Sequence, residues 1–207
     1  MISKNKAKLI HTLETRKGRE KAGLFVAEGP KIVNDLLHEG FVAEEILDDL
    51  DDIRKVSFLK HPQPVLGVFR LPAADRETPP AYSDIFRQYL DNRLVLALDG
   101  VQDPGNLGTI IRIADWFGIE NIFCSQETAD CWNPKVVQAT MGSIARVKLH
   151  YLNLNRLTEG LPADYPVYAT LLDGDSLYEH PLSKQGMIVM GNEGNGITPM
   201  LRSKINR

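Results

Sequence analysis

The stretch LVLALDGVQDPGNLGTIIRIADWFG, residues 94–118, decides the fold. LVLALDG is a continuous apolar run ending in an acid and a glycine, the pattern of a strand buried on both faces. NLGTIIRIADWFG carries apolar residues at helical spacing and stops on Gly118, which predicts a helix. The same alternation continues downstream. NIFC predicts a second strand, and NPKVVQATMG a helix with Asn133 as N-cap, Pro134 at its first position and Gly142 past its end. ARVKLHYL, VYATLL and GMIVMG predict three further strands, with NLNRLTEGL a short helix between the first two. Apolar strands alternating with helices imply an α/β domain built on a parallel sheet covered on both faces.

Ligands in such sheets bind at the carboxyl ends of the strands. Three polar, glycine-bearing loops leave those ends here: DGVQDPGNLG, LLDGDS and GNEGNG. None has the G-x-G-x-x-G spacing of a dinucleotide site, and the Walker pattern is absent, so nicotinamide, flavin and P-loop chemistry are disfavoured. Asn106 is placed to cap the first helix. Arg112 lies in an otherwise apolar run, where a long cation needs a reason. Because helical side chains lean toward the N-terminus, its guanidinium can reach back toward the loop, although a snorkelling arginine would look the same.

Upstream the organisation changes. LPAADRETPPAYSD reads as a linker, which divides the chain into a front domain at 1–75, a linker at 76–92 and a larger domain at 93–207. The front part offers a basic helix, a strand LFVAE, a helix from Pro30 to a stop at Gly40, a mostly acidic stretch and a strand in VLGVFRL. Residues 1–23 hold seven Lys and Arg against Glu14 and Glu20, a local charge of +5, whereas residues 39–52 hold seven acids and no base. The basic segment suits a phosphate-contacting surface, and a solvated helix face would carry the same charges.

The bulk numbers exclude other classes. With 43% hydrophobic and 25% charged residues the chain is globular rather than disordered. A net charge of −3 argues against indiscriminate coating of nucleic acid. The longest apolar run is far short of the ~20 residues that a membrane helix needs, and the charged start has no signal-peptide core, so a cytoplasmic location is expected. The two cysteines make no disulfide framework, and the five scattered histidines show no ligand spacing, so no metal is expected.

The pattern D-x-x-x-D-P-x-N-x-G-x-I-x-R-x-A-x-x-F-G at Asp99 to Gly118 resembles the first signature of the SpoU (TrmH-like) RNA ribose 2′-O-methyltransferases of the knotted, Rossmann-like SPOUT superfamily. MIVMGNEGNGI resembles the second, and VVQATMGSIARV the helix between them. The front stretch LETRKGREKAGLFVAEG is similar to the small RNA substrate-binding domain of ribosomal-RNA members. The resemblance implies methyl transfer from S-adenosylmethionine to a ribose 2′-hydroxyl of structured RNA, ribosomal rather than transfer RNA, by a protein that is a homodimer in its complete form. It implies Arg112, Asn106 and Glu193 as catalytic residues. Thr170, Leu171, Gly191, Asn192, Gly194 and Gly196 are implied at the cofactor, with Arg16, Lys17, Arg19 and Lys21 on RNA.

Arginine is effectively always protonated, so Arg112 is expected to act as an electrostatic clamp, with base work left to phosphate, Glu193 or water. In the family a further strand, a third signature and a terminal helix follow the second signature and close the knot. The sequence stops at TPMLRSKINR, so that segment is expected to be missing and the domain C-terminally incomplete. A non-catalytic RNA-binding protein is the alternative if the chain truly ends at Arg207.

Overall fold

The computed structural model describes residues 1–72, 81–174 and 182–206. In chain order the elements begin with α1 (Lys4–Thr12), α2 (Arg16–Ala22), β1 (Leu24–Glu28), α3 (Pro30–His38), β2 (Ala43–Leu47), α4 (Leu50–Arg54) and β3 (Leu66–Arg70). Then come α5 (Tyr82–Ile85), a π-helical turn (Phe86–Leu90), β4 (Leu94–Asp99), α6 (Pro104–Trp116), β5 (Asn121–Cys124), α7 (Pro134–Ala139) and a 3-10 turn (Ser143–Ala145). β6 (Lys148–Tyr151), α8 (Leu154–Glu159), β7 (Val167–Ala169), β8 (Gly186–Gly191) and α9 (Pro199–Arg202) complete the order. They group into two compact units. One holds residues 1–72 with Pro104–Ile113 and Asp130–Arg146; the other holds residues 81–103, Ala114–Ala129 and residues 147–206.

In the first unit the basic start forms two helices rather than one. Ser3 caps α1 through the Lys6 N–H at 3.3 Å, and Thr15 caps α2 through the Gly18 N–H at 3.1 Å. Each hydroxyl satisfies an amide that has no partner inside its helix, which is why the break falls just before Arg16. α2 ends at Gly23, whose φ of 67° lies in the left-handed region that glycine adopts without penalty. Three antiparallel strands follow in the order β1-β3-β2. Their apolar core gathers Ile10, Leu13, Val26, Ile53, Val56, Leu66 and Val68. The acidic stretch is structured, contrary to its composition. Its residues 43–47 form the edge strand β2, and Asp49 caps α4 by accepting the Asp51 and Asp52 amides at 2.9 and 3.0 Å. Cations meet its glutamates, Arg70 at Glu44 and Lys6 at Glu45.

The second unit is the parallel sheet that alternation predicts, in the order β6-β5-β4-β8-β7. All four pairings are parallel, and Leu94 to Asp99 run in register beside Gly186 to Gly191. β4 and β8 therefore end level, at Asp99 and Gly191. Val95, Ala97, Phe123, Val167, Met187 and Val189 form the core, together with Leu154 and Leu157 of α8 and Leu201 of α9. Residues 76–80 of the expected linker lie outside the described residues, while its residues 82–90 are helical turns that bury Ile85 and Leu90. Asp175 and Ser176 of the LLDGDS loop also lie outside them.

Candidate active site

The level ends of β4 and β8 bring two of the glycine-bearing loops together. The loop after β8 is closed on itself: Asn192 and Gly196 exchange both backbone hydrogen bonds at 2.9 Å. The Asn192 side chain fills the turn. Its Oδ1 accepts the Gly194 and Asn195 amides at 2.9 Å, and its Nδ2 donates to the Gly100 carbonyl at 2.7 Å. Gly191 must be glycine, because a Cβ there would collide with the backbone of Gly196 and Ile197. Gly196 has a φ of 68°, and no heavy atom lies within 4 Å of where its Cβ would stand. One side of the turn is thus sealed against backbone and the other is open.

The loop after β4 is braced from several directions. Glu193 accepts the Gln102 amide on Oε2 and the Asp103 amide on Oε1, both at 3.3 Å. Asp99, only 7% exposed, accepts the Thr198 amide at 2.7 Å. Ser125, directly after β5, accepts the Gly100 amide at 3.0 Å, and Thr128 donates to the Leu98 carbonyl at 3.0 Å. The Gly100 residue is therefore pinned at its N–H by one loop and at its carbonyl by another. The sequence reading missed Asp99, Ser125 and Thr128 as braces. The available signal was a hydroxyl or carboxylate at the end of an otherwise apolar strand, where only backbone amides are left to pair.

β7 supplies the third loop. The Thr170 amide donates to the Val189 carbonyl at 3.0 Å, and Leu171 packs on the core of this unit. Asp173 pairs with Arg202 of α9 at 2.6 Å, and that guanidinium holds the exposed carboxyl below the usual carboxylate range. Neither this loop nor its two neighbours contains a lysine or arginine. Open backbone, glycines and a half-buried leucine suit an uncharged or cationic nucleoside-bearing ligand better than a free phosphate, which a cationic cradle would favour. Among the described residues no group of three or more His, Cys, Asp or Glu is placed to hold a metal ion.

Asn106 and Arg112 both lie on α6, exposed to solvent. Asn106 is not the N-cap. The helix starts at Pro104, so Asn106 is its third residue and its side chain projects from the first turn. Proline's fixed φ suits the first helical position, which moves the start three residues earlier than an Asn106 cap would place it. Arg112 sits on the exposed face, opposite the buried Leu107, Ile111 and Ala114. Of the four cations expected on RNA, Arg16, Lys17 and Lys21 are exposed, whereas Arg19 is only 2% exposed and cannot present its charge to a phosphate. Its guanidinium is occupied by Asp130 at 2.6 Å and by the Leu13 and Glu14 carbonyls at 2.8 Å.

The sequence model of the SpoU rRNA Methylase family matches residues 93–207, more than half of the chain. The chain belongs to the SpoU rRNA methylase family. The model of the MRM3-like substrate binding domain matches residues 4–51 of this SpoU chain. The 23S rRNA (guanosine(2553)-2′-O)-methyltransferase RlmP of Bacillus subtilis is 30% identical over 213 residues, covering 93% of the SpoU chain and 81% of its own length. A TrmH-family protein from Porphyromonas gingivalis superposes with a TM-score of 0.83 at 36% identity, covering 100% of the chain and 87% of that protein. An AdoMet-bound rRNA methyltransferase from Sinorhizobium meliloti superposes with a TM-score of 0.82 at 29% identity, covering 99% and 84%. The expected fold class and family are thereby borne out.

Proposed function

We propose that this SpoU-family protein transfers a methyl group from S-adenosylmethionine to a ribose 2′-hydroxyl of structured RNA, with ribosomal RNA as its substrate and a homodimer as its working form. The observation that carries this reading is the meeting of the Gly100 and Asn192–Gly196 loops at the level ends of β4 and β8. That is where an α/β sheet binds ligand, and the Sinorhizobium relative binds AdoMet.

Bound there, S-adenosylmethionine supplies a methyl carbon made electrophilic by its sulfonium. Thr170, Leu171, Gly191, Asn192, Gly194 and Gly196 would hold it through backbone and close packing. Asn192 keeps the turn in shape, and Asp99 and Ser125 fix the loop opposite. Arg112, a planar cationic fork of donors, stabilises the negative charge developing on the ribose oxygen as its proton leaves. Asn106, nearer the start of the same helix, acts with it. Glu193 already accepts two backbone amides, so its carboxylate serves to align the loop, and the proton passes to an RNA phosphate oxygen or to water. Lys17, Lys21 and Arg16 supply phosphate contacts, which position the RNA without reading its sequence. Trp116 and Phe117, 85% and 72% exposed at the end of α6, favour self-association.

The test is methyl transfer from tritiated S-adenosylmethionine to deproteinised bacterial ribosomal RNA and, separately, to transfer RNA. Label should enter ribosomal RNA and survive alkali as resistant dinucleotides, because a 2′-O-methyl group blocks cleavage at that step. Label released as mononucleotides would mean base methylation, and RNA binding without label would leave a binding protein.

A further inference from the structure

Arg19 lies among the basic residues of the front segment, yet it is the largest fully buried side chain there. One terminal nitrogen donates to the Leu13 and Glu14 carbonyls, at the break between α1 and α2. The other donates to Asp130 Oδ2 at 2.6 Å. The second oxygen of that carboxylate, Oδ1, accepts the Trp132 amide at 2.9 Å. Trp132 is itself 9% exposed, with its ring centroid 4.4 Å from Phe25 of β1 and 6.0 Å from Phe41. One carboxylate thus holds both the α1–α2 junction and the backbone that seats Trp132 against the front sheet. These contacts lie within one compact unit. They nonetheless join residues matched by the substrate-binding model, 4–51, to residues matched by the methylase model, 93–207.

We infer that Arg19 is a positioning residue rather than an RNA contact: with Asp130 and Trp132 it locks α1 and α2 onto the Asp130–Arg146 segment, so that Lys17 and Lys21 meet structured RNA in one fixed orientation. The inference rests on the RNA-methylating reading. Two further contacts repeat the same attachment. Lys31 of α3 donates to the Met141 carbonyl at 2.9 Å, and Arg146 approaches Asp35 at 3.7 Å. Burial explains why an arginine is used. A guanidinium can serve two carbonyls and a carboxylate at once, which a lysine's compact head does not match in plane or reach.

The experiment is binding of the full chain to deproteinised bacterial ribosomal RNA across a salt series, with amide hydrogen exchange on the same variants. A lost phosphate contact lowers the slope of log K against log salt by about one, and Lys17→Met should do so. Arg19→Met and Asp130→Asn should instead keep the wild-type slope while binding weakens on the order of tenfold at every salt, the size of one lost coupled contact. Exchange should quicken at Trp132 and across the α1–α2 junction. Arg19→Lys, which keeps the charge and the fold but not the fork, should give a smaller loss with the same slope. A slope reduced by one in Arg19→Met would make Arg19 a direct contact and overturn the inference. So would wild-type affinity in Arg19→Lys and Asp130→Asn. A wild-type protein that binds no RNA would instead sink the RNA reading itself, and this inference with it.

Discussion

Asn192 reaches across from the loop after β8 to donate to the carbonyl of Gly100 at 2.7 Å, while its own oxygen accepts the amides of Gly194 and Asn195. One side chain therefore shapes its own turn and ties it to the loop after β4. The pairing explains why an asparagine follows Gly191: it needs a donor on one side and a double acceptor on the other. Asn192→Ala should lower S-adenosylmethionine affinity by at least about tenfold and cost about 1–3 kcal/mol of stability, since several partners are left unpaired. Calorimetric titration checks the first and denaturant unfolding the second. Asn192→Asp should fare no better, because it keeps the acceptor but turns an oxygen toward the Gly100 carbonyl.

Glu193 separates a brace from a base. A lost general base costs roughly 10²–10⁴ in turnover. Glu193→Gln retains one acceptor for the Gln102 and Asp103 amides, so kcat should fall by less than about tenfold with no change in the pH profile. A loss of several hundredfold with unchanged cofactor affinity would return Glu193 to the role of base.

Gly191→Ala sets a Cβ against the backbone of Gly196 and Ile197, which cannot rotate away as a side chain would. Destabilisation of about 1–3 kcal/mol is expected, with cofactor binding weakened beyond tenfold. Gly196 differs in having space but a φ of 68°, so Gly196→Asn should be tolerated better than Gly196→Val in the same titration.

For Arg112 the expected loss in kcat on replacement by alanine is about 10²–10³, the scale of one lost charge-stabilising donor. Arg112→Lys keeps the charge without the fork and should still lose more than about tenfold. Full turnover in the lysine variant would show that the fork is dispensable.

His150 predicts a pH dependence of stability. Its ring lies 5.0 Å from Phe123 and 4.6 Å from Tyr89, and Nε2 pairs with Asn121 at 2.9 Å. Burial, helped by the Lys148 charge, lowers its pKa from 6.5 to about 4. The unfolded chain therefore takes up the proton first. The stability it contributes is fully present above pH 6.5, falls as pH drops toward 4 and is level below that. The window is worth about 3 kcal/mol at most. Thermal unfolding across it should show a slope in the wild type that His150→Gln flattens.

What the sequence made legible follows from which interactions are local. β4, β5 and β8 were readable because a strand buried on both faces is apolar throughout, and α7 because Asn133 and Pro134 act within one turn. The start of α6 was misplaced although Pro104 marked it, because Asn106 is equally good capping chemistry. β2 was hidden by its glutamates, which an edge strand can point at solvent and pair with Arg70 and Lys6. Arg19 was misread for a different reason. Its acid stands 111 residues away, and Glu193 finds its amides 90 and 91 residues away. Nothing in a local window distinguishes a paired charge from a free one.

The burial of Trp132 has an optical consequence. The chain has two tryptophans, one 9% exposed among phenylalanines and the other, Trp116, 85% exposed. In the monomer their emission should be spectrally distinct, the first blue-shifted and shielded from acrylamide, the second red-shifted and readily quenched, and self-association should shield the second. The protein thus carries two intrinsic fluorophores, one reporting the front sheet and one the end of α6, and their separate responses can be followed without a label.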